Sequence, residues 1–211
     1  MSYNDSAFYV AETNRKNRLK APLKPFIGIL FGRNAPLITS QMTFSIDAIA
    51  RQADVARMTV YHQFGSKIGL LEAMSDSLAA HGGMEQLANA FRQPDPLAAL
   101  DEYTTVFSQF WQSDRIVTRR LRALSALDQD FEQVVKARDE RRREGLRVIV
   151  LRFVEKYGKP APEVIDERIN ILFTLLSFET FDTLAGSTRS IEEVSPLVKK
   201  LARATLALNN Q

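Results

Sequence analysis

The 211 residues predict an all-α protein, a small N-terminal helical module followed by a larger helical bundle, on three observations. Apolar positions recur at three- and four-residue spacing along most of the chain. Alternating β-branched runs are scarce. The periodic segments end at helix-stop signals, "HGG" at residues 81–83, "RQPDP" at 92–96, "YGKPAP" at 157–162 and "GSTRS" at 186–190.

Taken in order, the first forty residues hold the weakest pattern. Residues 14–24 are polar and basic, with Arg15, Lys16, Arg18, Lys20 and Lys24 spaced along them. Pro25 suits the first position of a short helix from Phe26 to Arg33. From Ser45 the signal sharpens. Ser45 caps a helix over Ile46–Ala53 with Asp47 in its first turn, and Ile46, Ile49, Ala50 and Ala53 form the inward face. Asp54, Val55 and Ala56 make a turn. A second helix runs from Arg57 to Gln63 or Phe64 and buries Val60 and Phe64. Ser66 then caps a third over Lys67–Ala80, with Leu70, Leu71, Met74 and Leu78 inward. Further helices are expected over Met84–Phe91, Leu97–Gln112, Asp114–Leu124, Gln129–Tyr157, Pro162–Ala185 and Pro196–Leu208.

Composition narrows the function classes. With 45% hydrophobic residues the chain can bury a full core. There is no cysteine, which excludes disulfides, thiolate chemistry and cysteine-ligated zinc. The two histidines, His62 and His81, have no partner at a metal-ligand spacing, and no glycine-rich phosphate loop follows a strand. No metal, cofactor or catalytic residue is assigned, and an enzyme is the rival class the residues favour least. The N-terminus lacks a signal-peptide pattern and no apolar run has membrane-spanning length, so a cytoplasmic protein with no membrane partner is expected. Net charge is +3, but residues 1–67 hold nine Lys/Arg against four Asp/Glu. A basic end of this kind commonly meets a polyanion.

The segment "SIDAIARQADVARMTVYHQFGSK" at 45–67 joins two helices by a tight turn, the spacing of a helix-turn-helix. Val60 and Phe64 anchor the second helix from behind, which leaves Arg57 and Tyr61 on another face beside Met58 and His62. Arg57 at the helix start can reach guanine acceptors or phosphate, and Met58 can touch a thymine methyl. Thr59, Tyr61, His62 and Gln63 carry donors for phosphate oxygens, Thr59 being equally suited to a structural role. Lys67 follows the Ser66 cap, where its ammonium and the helix N-terminus suit a second phosphate.

Residues 45–71 resemble the signature of the TetR family of bacterial transcriptional regulators. The resemblance rests on Ser45, Ile49-Ala50, Ala53, Thr59-Val60-Tyr61, Phe64, Ser66-Lys67 and Leu70-Leu71. Asp54 stands where the family usually has glycine, Ala56 where it has a serine cap, Gln63 where it has His or Tyr, and Gly69 where an acidic residue is frequent. Leu30-Phe31 corresponds to the end of the family's first helix, with a longer linker than usual before Ser45.

The resemblance implies a DNA-binding site of Ser45, Arg57, Met58, Thr59, Tyr61, His62, Gln63 and Lys67. It implies a homodimer on a palindromic double-stranded operator, usually as a repressor, with an effector cavity in the C-terminal body. The corresponding division is a basic arm over 1–24, a helix-turn-helix domain over 25–82 and a sensing and dimerisation domain over 83–211. The segment "INILFTLLSFETFDTLAG", apolar on more than one face, and the last helix are the candidates for the twofold interface, the competing reading being a buried central helix in a monomer. Phe107, Phe110, Trp111, Leu127, Phe131, Phe153, Phe173 and Phe178 are the pocket candidates, with core packing as the competing role of each; a cavity among them suggests a small, mainly apolar or aromatic effector. The run "KARDERRREGLR" at 136–147 reads as a solvated helix face. The competing reading is a helical adaptor whose head no longer binds DNA specifically.

Overall fold

A computed structural model describes residues 45–158 and 161–207. The expected helix over 26–33, the basic arm and the Leu30-Phe31 pair lie outside the described residues. Among the described residues every regular element is helical. The N-terminal cluster consists of α1 (Ile46–Gln52), α2 (Arg57–Phe64) and α3 (Lys67–His81). A 3-10 turn (Met84–Gln86) and α4 (Leu87–Arg92) lead to the larger bundle. That bundle comprises α5 (Pro96–Ser113), α6 (Arg115–Ser125), α7 (Gln129–Tyr157), α8 (Pro162–Leu175), α9 (Phe178–Ala185) and α10 (Ile191–Ala207).

Two of the expected helices differ from the pattern. The single helix anticipated over 162–185 is broken at Leu176 and Ser177, although its apolar periodicity is continuous. Ser177 is extended and its side chain accepts from the Thr180 amide, so it opens α9 in a new direction. The last helix starts at Ile191 rather than at Pro196. Ser190 and Glu193 form a reciprocal capping box there: the Glu193 amide donates to Ser190 Oγ, and the Ser190 amide donates to the Glu193 carboxylate. Pro196 therefore lies inside α10, past its first turn, where it lacks the N–H that would donate to the Glu192 carbonyl.

The apolar side chains collect into two cores. The larger one fills the bundle, with Tyr103, Phe107 and Trp111 of α5 against Leu146, Ile149 and Phe153 of α7, Leu172 of α8, Phe181 of α9 and Val198 of α10. The smaller one lies under the N-terminal cluster and gathers Ile49, Val60, Leu70, Leu71 and Met74. Its membership crosses the chain: Val117 and Leu124 of α6 and Phe131 and Val134 of α7 complete it. At 29 residues and 1.5 Å per residue, α7 is about 43 Å long, so its first turns serve the head and its remaining turns serve the bundle.

The charged run on α7 is not wholly solvated. Arg142 is buried at 4% exposure, because it falls in register with Leu146, Ile149 and Phe153 on the stripe that faces the bundle. Its guanidinium donates to the Phe173 carbonyl at 2.7 Å and to Asp139 at 3.3 Å, and stacks 4.0 Å from the Phe173 ring centroid. Asp139 also receives both terminal nitrogens of Arg122, at 2.6 and 2.9 Å. One carboxylate thus ties α6 and α7 through two guanidiniums. Burial pulls the Arg142 pKa below its ordinary value, and Asp139 offsets part of that.

Phe131 tests the shared core. It is 1% exposed, and truncation to alanine should cost about 3–5 kcal/mol in a denaturant titration. A loss below about 1 kcal/mol would contradict its place in the head core.

Candidate nucleic-acid interface

Local chemistry sets the path of the chain from Ser45 to Lys67. Ser45 is extended, and its Oγ accepts from the Ala48 amide at 3.2 Å, which starts α1. Asp54 then takes a left-handed conformation (φ 54°), a position that Asp reaches more readily than most side chains. The Val55 amide returns to the Ala50 carbonyl at 3.0 Å and closes the turn. Ala56 has the extended geometry of a helix cap (φ −68°, ψ 143°) but no side-chain acceptor, so α2 begins without a capping bond.

The other end of α2 is set by two glycines. Gly65 ends the helix at φ 74°, where a Cβ would be strained. A Cβ on Gly69 would stand 2.1 Å from the Phe64 carbonyl oxygen. The close return of α3 onto the end of α2 therefore accounts for glycine where the family pattern frequently has an acidic residue. Ser66 supplies the cap of α3 by accepting from the Gly69 amide at 3.0 Å.

This frame divides the side chains of α2. Val60 is 1% exposed and holds the helix to the core. Arg57, Met58, Thr59 and His62 are exposed, Met58 at 60%. Tyr61, Gln63 and Phe64 are half-buried. Tyr61 packs on the head core by its ring and receives a hydrogen bond from Arg57 Nη2 at 3.3 Å. Arg57 Nη1 donates to Asp47 Oδ2 at 3.2 Å, and the guanidinium lies 5.3 Å from the Tyr61 ring centroid. Asp47 and Tyr61 together orient Arg57 at the start of α2. The Tyr61 hydroxyl first, and Asp47 second, raise the Arg57 pKa further.

Lys67 is engaged on the other side. Its ammonium lies 2.6 Å from Asp128 Oδ2 and 3.0 Å from Asp130 Oδ2. Partial burial works against the Lys67 charge, but the two carboxylates outweigh it and the pKa is raised. For Asp128, burial pushes the pKa up, while Lys67 and the Phe131 amide bring it below the usual carboxylate value. The Asp128 cap, the Asp47 contact and the inward Arg142 were not singled out from the sequence. Asp128 carried one local signal, a capping residue directly ahead of the long periodic run beginning at Gln129.

The pocket candidates fall in separate places. Phe107, Phe110, Trp111 and Phe178 form one aromatic row, with Trp111 4.6 Å from Phe110 and 5.8 Å from Phe107 and Phe178 between ring centroids. Trp111 Nε1 donates to the Leu176 carbonyl at 3.2 Å. Phe173 lies under Arg142 and Arg143. Phe153 stacks on Tyr157 farther along α7. Phe131 belongs to the head core, and Leu127 is 81% exposed in the turn before α7, outside both cores. A shallow groove on α8, lined by Asn170, Ile171, Thr174 and Leu175, contains none of these candidates.

Residues 43–74, which include α1, α2 and the first half of α3, match the family model described as bacterial regulatory proteins, tetR family. No curated protein and no solved structure matches the chain significantly. Among the described residues, no helix is long and apolar enough to cross a membrane.

The uncapped start of α2 makes a direct prediction. Ala56→Ser, with backbone angles already suited to a cap, should raise stability by about 0.5–1 kcal/mol in thermal or chemical unfolding. No gain would show that the added hydroxyl does not cap α2, whose Thr59 amide already donates to the Ala56 carbonyl at 2.9 Å.

Proposed function

We propose that this protein is a sequence-specific DNA-binding transcription regulator, acting as a ligand-responsive repressor rather than as an enzyme. One observation carries the reading. Within the segment that matches the regulator family, α2 is held from behind by Val60 and presents Arg57, Met58, Thr59 and His62 outward. In this reading α2 enters the major groove. Arg57 reads a base edge or grips a phosphate, and Tyr61, Gln63 and Lys67 approach the backbone. Ser45 acts indirectly by fixing the start of α1. Residues 1–24 serve as a basic arm, 25–82 as the DNA-binding domain and 83–211 as the sensing and dimerisation domain.

Homodimerisation is assigned to α8 and α10, which pack against each other. Ile171 is 43% exposed on α8, and Leu197 and Leu201 are 43% and 40% exposed on α10. Pairing these faces across a twofold axis would cover the apolar side chains and set two copies of α2 on a palindromic operator, with half-sites about 34 Å apart. The effector is assigned to the bundle, beside the aromatic row that includes Trp111, as a small, mainly apolar or aromatic molecule.

Footprinting on the DNA upstream of the protein's own gene, across a salt series, tests the reading. A discrete protected site with steep salt dependence is expected, whereas an adaptor would give neither. Arg57→Ala should weaken that site by roughly tenfold or more at unchanged helicity. Equal affinity would remove Arg57 from the interface. Tyr61→Phe is a cleaner probe of the hydroxyl than truncation, because the ring is part of the head packing. For the dimer, Leu201→Glu should halve the mass found by sedimentation while leaving α10 folded. An unchanged dimer would move the interface elsewhere.

A further inference from the structure

Lys67 stands at the junction of α2 and α3, where a helix-turn-helix meets backbone phosphate, yet its ammonium is committed to two carboxylates of the bundle. We infer that Asp128 and Asp130 set the DNA affinity of this protein by competing with phosphate for Lys67. The inference rests on the DNA-binding reading above.

The competitor is preorganised. Asp128 caps α7, and its Oδ1 accepts from the amides of Asp130 and Phe131 at 3.0 and 3.4 Å. That leaves Oδ2 aimed at Lys67. Phe131, buried in the head core, fixes the start of α7 and with it the place of both carboxylates. The side chains of Lys67 and Asp128 are 22% and 18% exposed, so salt screens this pair less than the Arg57–Asp47 pair at 56% and 51%. Lysine is suited to such an exchange, because its point charge sits on a flexible stem and needs no fixed geometry.

Moving the ammonium onto a phosphate exchanges one ion pair for another and leaves two carboxylates unpaired beside a polyanion. The contact then adds little net affinity while Asp128 and Asp130 are present. Neutralising them removes both carboxylate charges that compete with phosphate for Lys67. The Asp128→Asn change retains a strong capping residue, so α7 keeps its start.

A double-mutant cycle tests this in the full chain. Wild type, D128N/D130N, K67Q and the triple variant are titrated by fluorescence anisotropy against the footprinted duplex and a scrambled duplex, with unfolding curves confirming that all four fold. D128N/D130N should tighten binding to both duplexes roughly five- to tenfold, and by less than twofold in the K67Q background. Equal tightening in both backgrounds would mean that the carboxylates act only through overall charge, and the inference would fall. No tightening in either background would also overturn it. Acylation of the DNA-free proteins with an amine-reactive reagent supplies a separate readout, with Lys67 protected in wild type and reactive in D128N/D130N. Lys67 reactive in wild type would defeat the competition. Absence of binding to either duplex at any salt would instead reject the DNA-binding reading itself.

Discussion

The structure depends on the packing of Phe131 and Val134 into the head core. Helices of seven, eight and fifteen residues gain little stability from their own hydrogen bonds, and their order comes from burying one face. Among the described residues, α6 and the first turns of α7 supply much of the surface for that burial. The outward face of α2 is therefore defined relative to the bundle as well as to its neighbours in sequence. Three ion pairs repeat the connection along α3: Lys67 with Asp128 and with Asp130, and Asp76 with Arg138 at 2.5 Å. Sequence locality makes the helices, and long-range burial decides where they point.

A second constraint acts deeper in the bundle. Arg142, Asp139 and Arg122 hold a charge network beside Phe107, Trp111 and Phe173. Two guanidiniums share one carboxylate, with Glu179 3.4 Å from Arg122 at the more exposed edge. Such a network is a poor source of net stability, because desolvation cancels much of the attraction. It is a strong source of geometry, since a guanidinium accepts few arrangements of its partners. The polar node fixes the register of α6, α7 and α8 at the point where the apolar stripe of α7 is interrupted.

The helices were largely legible in the sequence because their signals are local. Ser45 and Ser66 mark starts, Gly65 and the glycines after His81 mark stops, and the bounds of α7 at Gln129 and Tyr157 follow from a cap and a glycine. The inward set Leu70, Leu71, Met74 and Leu78 follows from the helical period alone. The errors have equally definite causes. Apolar continuity across Leu176 concealed the Ser177 cap, and Pro196 drew attention away from the capping box that begins at Ser190. At the candidate site, the exposure of Arg57 and Met58 was readable from Val60 four or fewer residues away. The engagement of Lys67 was not, since its partners lie 61 and 63 positions along the chain and no periodicity links them. Arg142 was obscured by its neighbours, because a charge run looks solvated until its register with the apolar stripe is counted. Phe131 and Leu127 lie four residues apart near the start of α7, yet one is in a core and the other in solvent.

The length of α7 has a mechanical consequence. A rod of about 43 Å pivoting near its middle moves each end by about 2 Å for a tilt of roughly 5°. Its first turns are seated among the side chains that hold α2, and its later turns are seated in the bundle. A small repacking around Ile149 and Phe153 is thus carried to Phe131 at comparable amplitude, the fulcrum lying near the polar node of Asp139 and Arg142. The head has the leverage to follow changes in the bundle's interior without a hinge between them.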